Sequence, residues 1–330
     1  MNESSSKSLY YFSLFSAVYV AFLIFVGALV KSHEAGLAVP DWPTTYGENM
    51  FTFPISKWVG PVFYEHFHRL AASFAGILTI VLTIWIWLKE NRRWVREVVL
   101  AALFAVILQG LLGGLTVIYK LPILVSSAHG SLGQFYFLLV LTVAFSQSPL
   151  FARLAGSEKE VFSWRLFILS FFFWGLIFVQ LTIGALQRHG EAGLAVLDFP
   201  TVAGSWLPTF SMEMIDRINI ERMKLGLLEV DFKQVAIHLL HRYLGFVIFL
   251  FWLFISFSFN KKGYFELRSL RTVGRLLTLA IVLQIALGAN VIWFLREPWL
   301  TSAHVFLGAL ILGLSCLFCL IQLTAAKIIR

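Results

Sequence analysis

Four histidines in this chain stand where they could hold a metal from two sides: His68 with His129, and His241 with His304. All four fall inside long apolar stretches, where an ionisable side chain is costly and marks a functional site by default. A lone histidine at such depth can simply hydrogen-bond to a neighbouring helix. A pair that recurs at matching spacing in both halves of the chain argues for more. Two imidazoles facing each other across a helical bundle can fill both axial positions of a heme iron. A zinc or copper site would want further ligands, and no Cys or Met accompanies these histidines.

Other ionisable residues stand beside the pairs. Arg69 and Arg242 each directly follow one of the histidines. A guanidinium there could pair with a heme propionate, which suits its bidentate geometry; the competing reading is an arginine that snorkels to the headgroups. Glu65 lies three residues before His68, on the same helix face, and His238 occupies that position before His241. A carboxylate beside one site only could move protons or stabilise a cationic intermediate. The competing reading is an ion pair with Arg69 or a histidine. His66, two positions from His68, points to another face.

The two sets of residues belong to an internal duplication. Glu34 to Thr44 reads EAGLAVPDWPT and Glu191 to Thr201 reads EAGLAVLDFPT, an offset of 157 residues. His68-Arg69 recurs as His241-Arg242 at an offset of 173. Gln109 recurs as Gln284, and Ser127-Ala128-His129 as Ser302-Ala303-His304, both at an offset of 175.

The elements that must position these residues are membrane helices. The chain is 59% hydrophobic and 13% charged, with a mean hydropathy of +0.81, outside the range of a soluble domain. Eight apolar runs of spanning length are expected, at about 9–31, 63–88, 98–119, 127–148, 164–186, 234–259, 272–295 and 301–326. The first is too long for a signal peptide and no cleavage site follows it. The fold class is therefore an all-α integral membrane protein. Its eight transmembrane helices form two pseudo-symmetric four-helix bundles, and four spans per copy make this a parallel repeat. The halves are 1–150 and 151–330, with the seam between Gln147 and Ser163. A short amphipathic helix is expected between Met212 and Val230.

Of the 26 lysines and arginines, fifteen fall on the side of the termini, Lys159, Lys261, Lys262 and Arg330 among them, and nine on the other, longer loops. The positive-inside rule puts both termini in the cytoplasm of a multi-pass protein of the inner (plasma) membrane, and with them the histidine sites toward the outer face. The net charge of +8 follows from topology and is not a nucleic-acid patch. Cys316 and Cys319, both in the last span, read as packing residues.

Taken together, Pro40 to Pro43 (PDWP), Glu65-x-x-His68-Arg69, Gln109-Gly110 with Gly113-Gly114, His129, and the second set His241, Gln284 and His304 resemble the heme A synthase family over essentially the whole chain. The resemblance implies two similar four-helix bundles and the oxidation of a methyl group of heme O to a formyl group, giving heme A. It implies that His68 and His129 hold the substrate heme O, with Arg69 beside them and Glu65 catalytic. It implies that His241 and His304, with Arg242, hold a resident heme B. The implied partners are a heme O synthase and cytochrome oxidase assembly, with the electron acceptor and any homo-oligomer left open. Some bacterial members carry a cysteine pair in the outward loops, and this chain has none there. A diheme cytochrome acting only in electron transfer fits the histidine pairs but gives no reason for Glu65 in one copy alone. A transporter on parallel repeats predicts polar groups near the midplane, whereas these cluster at the outer helix ends.

Overall fold

The computed structural model describes residues 3–157, 162–260 and 268–329. Lys159, Lys261, Lys262 and Arg330, counted above on the inner side, lie outside the described residues. Among the described residues, eight helices are long and apolar enough to cross a membrane. In chain order these are α1 (Glu3–Ser32), α2 (Pro61–Lys89), α3 (Arg93–Ile118), α4 (Ile123–Ser146), α6 (Trp164–His189), α8 (Phe232–Asn260), α9 (Arg268–Trp293) and α10 (Pro298–Ala325). Two short helices join them, α5 (Pro149–Ala155) and α7 (Met212–Lys224). Among the described residues there is no strand, only one isolated bridge in each long loop, Thr45 to Glu48 and Val202 to Ser205.

Proline and capping side chains set where the helices begin. Pro61, Pro149 and Pro298 sit at the first helical positions of α2, α5 and α10, where the missing N–H would be unpaired in any case. The side chains of Ser148, Ser163, Ser211 and Glu297 cap α5, α6, α7 and α10 by accepting a backbone N–H three residues on.

Each long helix buries one stripe and turns an apolar face to the lipid. On α2 the buried stripe is Ala71, Ala75, Leu78, Leu82 and Ile86, at helical spacing. Its opposite face, including Phe74, Ile77 and Ile84, is exposed and apolar. Lipid gives helices no hydrophobic reason to pair, so close packing and interhelical hydrogen bonds must do it. Small residues such as Ala17 and Ala21 of α1 and Ala102 and Ala105 of α3 supply the close approach. Polar cross-links include Tyr136 to Thr79 at 2.5 Å, Trp252 Nε1 to Thr278 at 2.9 Å and Gln322 Nε2 to Ser170 at 3.2 Å.

α1 to α4 pack in sequence, with α1 closing against α4. α6 likewise packs on α8 and α10, and α9 on α10, whereas α8 and α9 touch far less than their counterparts α2 and α3. α1 against α10 and α4 against α6 join the two groups. Two clusters of large side chains, around Trp252, Phe318 and Ile321 and around Leu9, Ile86 and Val99, fill the end of the molecule remote from the long loops. The end nearer those loops is left to the histidines.

Both long loops fold back over the helix ends with the same turns. Glu34 and Glu191 have positive φ, as do Tyr46 and Ala203, Gly47 and Gly204, and each loop has one cis peptide, Trp42-Pro43 and Phe199-Pro200. Asp41 accepts hydrogen bonds from the Tyr46 and Gly47 amides at 2.7 and 2.8 Å, and Asp198 from the Ala203 and Gly204 amides at 3.0 Å each. Burial acts to raise both carboxyls, but these amides with Thr44 and Thr201 outweigh it and hold them below the usual aspartate range. α7, absent from the first loop, lays Met214, Ile215 and Ile218 on Ala192, Ala195 and Val196, and Arg222 donates to the Leu194 carbonyl.

Candidate functional site

His241 of α8 and His304 of α10 face each other with ring centres 6.4 Å apart and planes at 68°. Two metal–nitrogen bonds of about 2 Å each, with ~1.2 Å from each nitrogen to its ring centre, would ask for about 6.4 Å. The spacing therefore fits one iron held axially between the rings. His68 of α2 and His129 of α4 form the corresponding pair and lie within electrostatic reach of each other. Among the described residues no three of His, Cys, Asp and Glu group to hold a metal by themselves. Two-ligand sites of this kind suit a porphyrin, which brings four nitrogens of its own.

Each imidazole is seated against a glycine of the preceding long helix. A Cβ built on Gly27 would stand 3.0 Å from His68 Cε1, on Gly113 3.2 Å from His129 Cε1, on Gly184 3.0 Å from His241 Cε1, and on Gly288 3.1 Å from His304 Cε1. The flat backbone surface of a glycine lets the ring lie against the neighbouring helix and fixes its tilt. All four Nδ1 atoms are buried without a hydrogen-bond partner in the protein. Buried imidazoles of fixed tilt, paired across a bundle, are the donor set a bis-histidine heme requires.

Glutamines brace the histidine helices from the side. Gln180 of α6 donates to the His241 carbonyl at 2.8 Å, and Gln284 of α9 to the His304 carbonyl at 3.0 Å.

The arginines are engaged with the loops. Arg69 donates to the carbonyls of Val39 at 2.8 Å, Asp41 at 2.7 Å and Thr44 at 3.0 Å, and to Glu65 Oε1 at 2.6 Å. Glu65 Oε2 accepts the Val39 amide at 3.0 Å, so the buried Glu65–Arg69 pair clamps the first loop onto α2. Arg242 does the same with fewer bonds, to Val196 at 3.1 Å and Thr201 at 3.2 Å, and its Nε is buried without a partner. In place of a carboxylate, the second loop is held by His238, whose Nδ1 lies 2.8 Å from the Ala192 carbonyl. His66 is buried apart from His68, 3.2 Å from Thr45 Oγ1 and against Trp58 and Phe53. α3 begins at Arg93, which brings Glu97 into a helix as well, but at its far end and paired with Arg93 in the open, so Glu65 is the carboxylate at depth.

Sequence reasoning passed over Gly27, Gly184 and Gln180. The signal was present for the glycines, which stand at the same offset of 157 as the two loops. Trp42 and Gly114, quoted above only as parts of PDWP and of the glycine pair, prove to be partners: the indole lies on Gly114 of α3.

Residues 10–316 match the pattern of the COX15-CtaA family, described as cytochrome oxidase assembly protein. The chain is 24% identical over 317 residues to the heme A synthase of Halalkalibacterium halodurans, covering 94% of this chain and 95% of that one. It is 27% identical over 291 residues to the heme A synthase of Alkalihalophilus pseudofirmus, covering 87% and 88%. It is 24% identical over 326 residues to that of Bacillus licheniformis, covering 96% of each. With nearly its whole length matched and two histidine pairs at its centre, the chain belongs to the COX15-CtaA family of cytochrome oxidase assembly proteins.

Proposed function

We propose that this protein is a heme A synthase, a membrane oxidoreductase that converts a methyl group of heme O to a formyl group. One observation carries the reading: the same imidazole-on-glycine arrangement occurs twice, yet a buried carboxylate, Glu65, stands beside only one of the pairs. Two equivalent electron-transfer hemes would not need that difference. The matches to heme A synthases along nearly the full chain support it.

In this reading the first half, 1–150, holds heme O through His68 and His129, and the second half, 151–330, holds a resident heme B through His241 and His304. When bound, heme B supplies a one-electron redox centre. Turning a methyl into a formyl group takes up one water and releases four protons and four electrons, the electrons passing to an external electron acceptor. Glu65 lies three residues before His68 and accepts protons there; Arg69 pairs with its carboxylate and holds the loop closed over it. Gly27 and Gly113 hold the substrate-side rings at fixed tilt, and Gly184 and Gly288 do so on the other side. Arg242, with its buried free Nε, is positioned to take a heme propionate, and Arg69 serves its own site in the same way once a bond to the loop is exchanged.

Both termini lie in the cytoplasm and the heme sites toward the outer face of the plasma membrane, following the bias of lysine and arginine. A heme O synthase supplies the substrate, and cytochrome oxidase receives the product. The test is expression together with a heme O synthase in a host without a heme A pathway, followed by chromatography of the extracted hemes. Heme A in the extract is expected; heme B and unconverted heme O alone would return the chain to a diheme cytochrome.

A further inference from the structure

The glutamine braces are present at three of the four histidine helices, and each goes with a glycine. The residue four positions after the histidine is Gly133 after His129, Gly245 after His241 and Gly308 after His304. A Cβ on these glycines would stand 2.9 Å from Gln109 Nε2, 3.4 Å from Gln180 Nε2 and 3.3 Å from Gln284 Nε2. The chemistry is simple: a helix carbonyl is normally shielded by the side chain one turn on, and a glycine there opens it to a second donor from the adjacent helix. Gln180 and Gln284 use that opening to bond the carbonyls of the two histidines themselves.

The fourth helix breaks the rule at both positions together. Four residues after His68 stands Ala72, and the glutamine is gone: Gln180 lies four residues before Gly184, and Leu23 lies four residues before Gly27. The frame is fixed by structure, since Gly27 and Gly184 make the same contact with His68 and His241. The second site is thus braced on both of its histidine helices. The first has a glutamine only at α4; α2, carrying His68, receives none from α1, whose nearby hydrogen bond, Tyr19 Oη to the Ala71 carbonyl at 3.2 Å, does not reach the His68 carbonyl.

We propose that this difference sets how long each site keeps its porphyrin: Gln180 with Gly245 makes the second site retentive, and Leu23 with Ala72 leaves the first free to exchange. The inference rests on the two-site reading above and deepens it. A site that must admit a substrate and release a product each turnover benefits from a histidine helix that can shift, whereas a resident cofactor needs the reverse.

Release can be measured without turnover by mixing the purified, heme-loaded protein with an apomyoglobin that scavenges heme. His129→Ala and His304→Ala assign the two release phases to their sites. If neither variant removes a phase, the two-site reading itself fails. Gln180→Met keeps the side-chain length and removes the donor. A net hydrogen bond of ordinary strength predicts release from the second site faster by roughly three- to tenfold, with the first-site phase unmoved. The paired change Leu23→Gln with Ala72→Gly should slow the first-site phase by a similar factor, a gain that loss of structure could not mimic. An unchanged second-site rate in a Gln180→Met protein of wild-type melting temperature would overturn the proposal. Should that variant not fold, an unchanged first-site rate in the paired variant overturns it equally.

Discussion

Trp42 lies on Gly114 so closely that a Cβ there would come within 2.6 Å of its indole. The indole carries the first loop onto α3, next to Gly113 and hence next to the His129 ring. The corresponding positions of the second copy are Phe199 and Ala289, a smaller ring and a larger helix residue, and Phe199 packs edge-on against Trp293, one turn beyond Ala289. The chain thus contains two solutions to one packing problem. Gly114→Ala should therefore lift the loop and destabilise the fold by roughly 1–3 kcal/mol, as overpacking usually does, with a lower melting temperature as the readout. Adding Trp42→Phe should restore most of that loss. A double-mutant cycle checks it: additive effects would mean the two residues do not share the contact.

A second expectation concerns acid stability at the opposite end of the molecule. Glu90, between α2 and α3, accepts the Arg92 amide at 2.9 Å, the Arg92 guanidinium at 2.5 Å and Gln147 Nε2 at 2.8 Å. Burial acts to raise its carboxyl, and these donors outweigh it, holding it down at about 2 against an ordinary 4.5. A depressed carboxyl contributes stability that is fully present above its unfolded value and lost as pH falls through its folded one, so the loss runs from about pH 4.5 down to about 2. Allowing for solvent near this turn, the contribution is ~1–2 kcal/mol. Glu90→Gln should lower the melting temperature at neutral pH and flatten its acid dependence in that window. An unaltered acid profile would show that Glu90 does not link α2 and α4.

The spans and the histidine pairs were legible because both rest on local information: apolar run length for the first, exact repetition for the second. α1 begins at Glu3, earlier than its apolar run, because polar residues can continue a helix beyond the lipid, and α5 forms within the seam, where Ser148 caps it and Pro149 opens it. The amphipathic segment after Met212 is a helix to Lys224, as its periodicity predicted. The ion pair of Glu65 with Arg69 was one of the readings the spacing allowed, and it forms; what could not be read was how Arg69 and Arg242 engage the loops. Their partners are backbone carbonyls 25 to 46 residues away, and carbonyls leave no mark on a sequence. The brace at Gln180 was hidden for the same reason, although its offset from Leu23 was open to view.

Gly184 tests the seating of the imidazole. Gly184→Ala places a methyl 3.0 Å from His241 Cε1, closer than side-chain carbons ordinarily pack, so the ring or α6 must give way. Gly27→Ala does the same to His68. Each variant should disturb one heme and spare the other. For Gly184→Ala we expect a shifted midpoint potential and weakened heme B binding, with first-site heme unchanged in the optical spectrum. Equal disturbance of both hemes would mean that the glycines serve helix packing in general and not the ligand they touch.

Glu65 separates the two roles its surroundings allow. As a clamp it needs only to accept the Val39 amide and the Arg69 guanidinium; as a proton acceptor it needs to ionise. Glu65→Gln retains an acceptor for Val39 and nearly the same volume, and gives up the charge. Glu65→Ala gives up both. If Glu65 only holds the loop, heme A formation in the co-expression assay should fall further in the alanine variant than in the glutamine one, in step with melting temperature. If it handles protons, both variants should lose heme A formation by 10²-fold or more, the usual contribution of a positioned acid–base group. Both should still bind heme through His68 and His129, seen in the reduced-minus-oxidised spectrum. We expect the second pattern, because the equivalent loop is held to its histidine helix by His238 and Arg242, with no carboxylate at the α8 position that matches Glu65. A glutamine variant with near wild-type heme A yield would leave Glu65 as a clamp and remove the proton-accepting role assigned to it.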